Sequence, residues 1–203
     1  MDVSENVHVD NLQSMAEASP ALCFAFSNLS FLFWGGILGW FGEHATLMLG
    51  LVQLGVFACY HLCSQDLLVR GDGWNGNIFM IFASMFAGCG GLTNVASALC
   101  SFGGMPFSPL VPGVLWLSSG VLLLVLCPGV AKGPAAGFLF YAFGGTGLTI
   151  QGLATLGLVP SAGCMDVAAW CFFAAGCLGM LVCVSTFYGF NGTRVPLGKP
   201  LFK

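Results

Sequence analysis

Neutral hydrogen-bonding groups are the residues of this chain whose chemistry could act inside an apolar environment. Amides and hydroxyls stand within its long apolar runs, and they are Ser27, Asn28, Ser30, Gln53, Thr93, Asn94, Ser118, Ser119, Thr146, Thr149 and Gln151. The runs contain no carboxylate, Lys or Arg, although buried ionisable groups are the usual mark of proton relays and ion-coupled pumps. The neutral groups can bond between helices or replace part of the hydration shell of a passing solute. A carboxylate-based proton pathway is therefore not expected.

Catalysis and metal binding find little support in the sequence. The three histidines, His8, His44 and His61, are scattered and have no acidic partner at a suitable spacing. Of the ten cysteines, only Cys164 lies in a clear connection, and no Cys/His group has zinc spacing. We therefore predict no catalytic residues, no metal site and no cofactor.

Aromatic residues are dense in the first and third apolar runs. Phe24, Phe26, Phe31 and Phe33 lie in the first run, and Phe79, Phe82 and Phe86 lie in the third. Helical spacing places the three residues of the third run on one face. Such a face can be bundle core or lipid contact, or it can line a narrow apolar passage that gates by dewetting. The residues alone leave these interpretations open.

The elements that position these groups follow from composition. Apolar residues make up 57% of the 203 residues, charged residues make up 6%, and the mean hydropathy is +0.91. A membrane helix needs about 20 apolar residues, and six runs qualify: 21–40, 45–63, 78–102, 110–130, 135–158 and 167–190. None alternates as a membrane β-strand does. The sequence predicts one all-α domain, a bundle of six transmembrane helices over residues 19–190. A polar tail (1–18) precedes it and a C-terminal tail (191–203) follows.

Orientation follows from the five cations. Arg70, Lys132, Arg194, Lys199 and Lys203 all fall on the side of the two tails, whereas the opposite connections carry Glu43, His44 and Asp166. The positive-inside rule therefore predicts that both termini are cytoplasmic. The sequence has no basic patch, so we predict no nucleic-acid partner. We expect a multi-pass protein of the plasma membrane or of an organelle membrane.

Three stretches resemble the acetate/succinate uptake transporter family (AceTr). Residues 19–26 read SPALCFAF, which is similar to a degenerate form of the family's NPAPLGL signature; Pro20 is the signature proline that remains. Residues 71–79 read GDGWNGNIF and resemble the stretch that opens the third span of that family. Residues 193–200 read TRVPLGKP and are similar to the family's closing R-T-V-L-P-x-G. With six matching spans, the resemblance extends over most of residues 17–200.

The resemblance implies a transporter or channel for small monocarboxylates such as acetate or succinate, passive or proton-linked, with one pathway per protomer of a hexamer. It also implies an apolar constriction, which the matched motifs place at Phe26, Phe82 and Tyr141. Neutral donors at Asn28, Thr93 and Asn94 are the candidates for the polar part of the pathway.

Two departures from the family pattern leave a second interpretation open. The signature lacks its Asn and second Pro, and at the constriction Phe82 stands for a tyrosine and Tyr141 for a leucine. The alternative is a non-transporting structural or interaction protein that has lost the solute path. For assembly, the small-residue pairs Gly35/Gly39 and Ala175/Gly179 are predicted to pack neighbouring protomers together.

Overall fold

A computed structural model describes residues 19–42 and 44–201. It contains six helices: α1 (Ser19–Ile37), α2 (Ala45–Val69), α3 (Gly73–Phe102), α4 (Leu110–Val130), α5 (Ala135–Thr155) and α6 (Ser161–Phe190). The predicted six-helix, all-α fold is confirmed for this part of the chain. The polar tail 1–18 with His8, and the charged residues Glu43 and Lys203, lie outside the described residues.

Five of these helices are long and apolar enough to cross a membrane, and the chain is an integral, multi-pass membrane protein. The sixth helix, α5, is less apolar because glycine, threonine and Gln151 interrupt it. It packs along α4 on one side and along α6 on the other. Protein therefore covers much of α5, and its 21 residues span about 32 Å at the usual helical rise.

The helices form a closed ring in chain order. α1 packs against α2 and α6, α2 packs along α3, and α4, α5 and α6 pack in sequence. The ring closes where the middle of α3 meets α4. The buried aromatic residues point into the centre of this ring.

Glycines set the close approach between neighbouring helices. A Cβ atom on Gly50 of α2 would lie 2.8 Å from the carbonyl oxygen of Gly91 on α3. A Cβ atom on Gly120 of α4 would lie 2.8 Å from the carbonyl oxygen of Gly145 on α5. Small residues let membrane helices approach at such distances, so many of the glycines serve packing within one chain.

Three of the four small residues predicted to join protomers are buried inside the chain, and the fourth, Gly39, is exposed in a turn, so neither pair forms the outward helical surface that was predicted. Gly35 lies under the ring of Phe41, and Gly39 is in the turn after α1 at φ +74°. Ala175 is fully buried, and a Cβ atom on Gly179 would lie 2.5 Å from Ser27 Oγ. Gly35, Ala175 and Gly179 pack against their own chain, and Gly39 follows the end of α1, so it shares no helical face with Gly35.

The connection predicted at residues 64–77 is mostly helical. α2 runs on to Val69, with Arg70 Nε bonded to Asp66 Oδ2 at 2.8 Å one turn earlier. The backbone N–H groups of Gly71 and Asp72 bond the carbonyls of Leu68 and Leu67, which is a Schellman ending with Gly71 at φ +84°. The reversal of the chain therefore takes only three residues.

The next helix begins within that same stretch. The Asp72 carboxylate accepts a hydrogen bond from the Asn75 N–H at 3.0 Å and so caps α3. The GDGWNGNIF stretch thus contains the C-terminal cap of α2 and the N-terminal cap of α3. α6 also begins earlier than predicted, at Ser161, with non-helical backbone at Ala162 and Gly163.

The middle of α3 is a π-helical segment, Ala83–Cys89. The fully buried Gln53 of α2 donates a hydrogen bond from Nε2 to the Phe86 carbonyl oxygen at 2.7 Å. Asn94 Nδ2 donates to Gln53 Oε1, also at 2.7 Å. π-helical turns are often found at functional sites, and here the side chain of Gln53 joins two positions of α3.

The described part of the C-terminal tail folds back on the bundle. Ser185 Oγ donates to the Val195 carbonyl at 3.1 Å, and the Ala136 N–H donates to the Leu197 carbonyl at 3.0 Å. These bonds hold the tail against α6 and the start of α5.

Candidate solute path

A cavity of about 430 Å³ opens at the end of the bundle where α1, α3 and α5 begin and α6 ends. We call it the Tyr141 vestibule. Its walls are mostly apolar, and its polar groups are Ser19, Asn75, Tyr141 and Thr186. Tyr141 is 7% exposed, so this residue lies deep in the wall.

A second cavity of about 550 Å³ opens at the opposite end of the bundle, around the connection between α1 and α2. We call it the Gln151 vestibule. Its polar lining residues are His44, Thr46, Asn94 and Gln151, and the rest of its wall is largely aliphatic and aromatic.

Seven buried aromatic residues fill the centre of the ring between the two vestibules. We call them the aromatic belt: Phe26 and Phe33 of α1, Phe82 and Phe86 of α3, Trp116 of α4, Phe140 of α5 and Phe172 of α6. On α1, Cys23 lines the first vestibule and Leu32 lines the second. The helical rise puts about 14 Å between these two residues, so the closed section is short compared with a bilayer core.

The belt has two layers that share Phe86. In the layer near the Tyr141 vestibule, the ring centroid of Phe26 lies 4.5 Å from that of Phe140 and 6.1 Å from those of Phe82 and Phe86. In the other layer, Phe33 contacts Phe86 at 5.2 Å, and Trp116 and Phe172 at 5.5 Å. Ring-to-ring contact closes the centre at both layers.

The structure brings two of the three predicted constriction residues into direct contact. Phe26 and Phe82 meet edge to face. Tyr141 is one step removed, because its ring contacts Phe140 at 5.8 Å and Phe140 in turn contacts Phe26. Their role in a constriction stays a prediction. Phe140, next to Tyr141 in sequence, was not among the candidates.

The polar candidates divide into two groups. Asn28 donates to the Phe24 carbonyl and Thr93 donates to the Cys89 and Gly90 carbonyls, so both side chains bond their own helices. Asn94 instead bonds Gln53 across the helix interface and lines the Gln151 vestibule. Asn94 is therefore the polar candidate that lines one of the two vestibules, and its role in a solute path stays a prediction. Pro20 is buried in the first turn of α1, where a missing N–H costs no hydrogen bond.

Two residues of functional interest were absent from the predicted site, Gln53 and Gln151. Both appear in the sequence as polar residues inside apolar runs, which is the signal that could have singled them out. The partners of Gln53 lie 33 and 41 residues away. A spacing of that length has no local pattern, so only the fold reveals it.

Charge is distributed unequally between the two ends of the bundle. The cations of the described residues lie in the α2–α3 connection, the α4–α5 connection and the C-terminal tail: Arg70, Lys132, Arg194 and Lys199. These segments share the end that contains the Tyr141 vestibule. The described lining of both vestibules contains no Lys, Arg, Asp or Glu.

A ring of membrane helices with a cavity at each end and buried aromatic residues between them defines a class of protein, the multi-pass α-helical membrane protein. Comparison with solved structures gives a more particular likeness. The chain has the fold of the bacterial acetate channel SatP, with a TM-score of 0.74 and 16% sequence identity over 91% of this chain and 100% of that one. The resemblance predicted from the three sequence stretches is thus confirmed for the fold. No protein-family model and no curated protein sequence matches the chain.

Proposed function

We propose that this protein passes small monocarboxylates of about the size of acetate across its membrane. The observation that carries the proposal is the pair of vestibules, which enter from opposite ends with the aromatic belt between them. A bundle that had lost its solute path has no need of cavities at both ends. The fold shared with an acetate channel supports the same assignment.

The chemistry of the path favours a small solute that crosses in its neutral form. Moving an unpaired carboxylate into an apolar region is costly, and the belt consists of aromatic rings. The described lining offers no fixed charge to offset that cost. A short acid that carries its proton avoids the cost and takes the proton across with it.

Passage requires the belt to open, because its rings are in contact. Phe26, Phe82 and Phe140 form the layer next to the Tyr141 vestibule, so rotation of these side chains is the opening movement that we propose. A gap of this kind admits a two-carbon acid more readily than a hydrated ion, since apolar constrictions exclude hydrated ions by dewetting.

Uptake of radiolabelled acetate into proteoliposomes tests the proposal. The comparison set is empty liposomes together with two glycine variants of equal size. A Cβ atom on Gly144 would lie 3.4 Å from Phe26 Cζ, so Gly144→Leu adds bulk beside the belt. Gly55 is exposed on α2 with nothing within 4 Å, so Gly55→Leu is the matched control.

The expected result is uptake above that of empty liposomes by the wild type and Gly55→Leu, with a loss of at least about tenfold in Gly144→Leu. Because neutral acetic acid also crosses lipid, the protein-dependent part of the rate is the quantity compared. A wild-type rate equal to that of empty liposomes would overturn the proposal and leave the non-transporting alternative.

A further inference from the structure

Gln151 of α5 has a buried acceptor atom with no protein donor. The residue is 9% exposed, and its side-chain oxygen Oε1 has no hydrogen-bond partner. The same residue lines the Gln151 vestibule. A buried, unpaired amide oxygen is destabilising unless a donor reaches it, so this position is suited to a ligand that brings a donor.

The surroundings of Gln151 limit what that ligand can be. Phe33, Leu32 and Met165 supply apolar surface in the same vestibule, and Asn94 supplies an amide. The ligand must therefore combine an O–H or N–H group with a small apolar remainder. A carboxylate anion can accept from the Gln151 Nε2 amide, but it has no donor for Oε1, and its oxygens repel that atom. A protonated short-chain acid has the required O–H, and its carbonyl can accept from the Gln151 Nε2 amide.

Resting on the function proposed above, we infer that Gln151 is a selectivity residue whose Oε1 accepts a hydrogen bond from the O–H of the acid, and that it so admits the protonated acid in preference to its anion. It acts in the Gln151 vestibule, apart from the residues predicted for the constriction. The bond is reversible, and the proton stays on the acid.

The groups that could otherwise impose a pH dependence are few. His44 is the titratable residue in the described lining of this vestibule. Among the described residues of α6, which packs along α5, Asp166 is exposed next to Met165, and Cys171 lies near Gly147 one turn from Gln151. On α4, the described residues carry no charge, and the one titratable group there, Cys127, lies toward the Tyr141 end. Glu43, beside His44 in the chain, is outside the described residues.

Two substitutions of Gln151 separate the acceptor from the donor of the amide. Gln151→Glu keeps an acceptor oxygen in either protonation state, whereas Gln151→Met keeps the length and removes both groups. Gln65 is exposed on α2 and bonds His61, so Gln65→Met is the matched control away from both vestibules. His44→Gln removes the titrating group of the lining.

The experiment measures binding of radiolabelled acetate to purified protein in detergent by scintillation proximity at pH 5.5 and 7.5. In the wild type, Gln65→Met and His44→Gln, the apparent affinity should fall about tenfold for each pH unit above the pKa of the acid. Gln151→Met should lose about tenfold at the lower pH, and Gln151→Glu should stay within a few-fold of the wild type. Circular dichroism and gel filtration select the variants that fold.

The inference would be overturned by binding that is independent of pH, by a pH dependence that disappears in His44→Gln, or by a Gln151→Glu loss as large as that of Gln151→Met. Equal affinity in Gln151→Met and Gln65→Met would do so as well, because Oε1 would then take no part. Binding with the expected pattern but without liposome uptake would remove the proposed function and leave the selectivity of Gln151 standing.

Discussion

At the scale of single residues, Phe82 is the belt member whose removal most directly tests the constriction. It is 4% exposed and lies in edge contact with Phe26 and Phe86. In Phe82→Ala, the space left by the ring should join the Tyr141 vestibule and raise the ratio of succinate to acetate uptake. It should also lower the free energy of unfolding by about 3–5 kcal/mol, because the cavity is unfilled.

The matched control for this change is Phe24→Ala, two residues from Phe26 on the opposite side of α1. Phe24 is 50% exposed on the outside of the bundle, so its loss should leave the ratio unchanged. Rates are normalised to folded protein in both variants. If Phe82→Ala keeps the wild-type ratio, Phe82 is a packing residue and no part of a gate.

Tyr141 allows size and hydrogen bonding to be tested separately. Tyr141→Phe keeps the ring that contacts Phe140 and removes the hydroxyl from the wall of the Tyr141 vestibule. If the hydroxyl binds the solute there, half-maximal acetate uptake should require a few-fold higher concentration, as expected for the loss of one hydrogen bond. The succinate-to-acetate ratio should not change. A change in the ratio without a change in the half-maximal concentration would contradict a binding role.

The residues of the path could be predicted only in part. Phe26 and Phe82 were predicted from the matched motifs, and the structure places their rings in contact. Asn28 and Thr93 satisfy their own helices, because a side chain in a helix often reaches the carbonyl four residues back. No spacing rule reveals whether a polar side chain bonds its own helix or a neighbouring one. It depends on the neighbouring helix.

At the scale of elements, the π-helical segment of α3 depends on Gln53. This side chain joins the Phe86 carbonyl to Asn94, and it is fully buried. Gln53→Leu keeps a side chain of similar volume and leaves the Phe86 carbonyl and the partly buried Asn94 amide without this partner. The free energy of unfolding should fall by about 1–3 kcal/mol.

Thermal unfolding in detergent measures that change, and Gln65→Leu on the exposed face of α2 is the control. Since Phe86 belongs to both layers of the belt, Gln53→Leu should also alter acetate uptake per folded protein. Equal unfolding midpoints for the two variants would show that the Gln53 bonds contribute nothing to stability.

The existence of the six helices was predictable, but several of their ends were not, among them the end of α2 and the start of α3. Hydropathy marks the part of a helix that lies in the apolar core of the membrane. α2 continues past its apolar run to Val69, and Gly71 terminates it. α3 likewise starts at Gly73, since Asp72 caps it. Capping chemistry sets these ends, so a search for apolar runs places them inside the true helix.

At the scale of the whole molecule, the unequal charge distribution predicts the orientation in the membrane. The described cations lie at the end with the Tyr141 vestibule, and His44 lies at the other end. A cysteine label or epitope in the C-terminal tail should be reachable only from the cytoplasm. A label at Trp40, exposed beside the Gln151 vestibule, should be reachable only from the other face. Reversed accessibility would refute the orientation while leaving the fold intact.

The oligomeric state depends on surfaces that the single chain leaves uncovered. Gly35, Ala175 and Gly179 are buried inside the chain and Gly39 lies in a turn, so neither predicted pair offers a helical face to a neighbouring protomer. Large apolar side chains cover the outside instead, for example Leu62, Val125 and Trp170, each more than half exposed. Such residues suit lipid and neighbouring protomers alike, and the resemblance to the AceTr family is what favours a hexamer.

Mass photometry of protein extracted in mild detergent tests that assembly, with six copies of the 21.2 kDa chain as the expected species. In a hexamer, large residues at the interface exclude lipid, so Leu62→Trp, Val125→Trp and Trp170→Ala should affect assembly unequally. Variants at the interface should shift the mass downward, and variants facing lipid should not. Because each chain encloses its own belt and vestibules, a dissociated variant should keep its acetate uptake per chain. A wild type that is monomeric in several mild detergents would contradict the hexamer. It would not bear on the proposed path within each protomer, which the uptake assay tests separately.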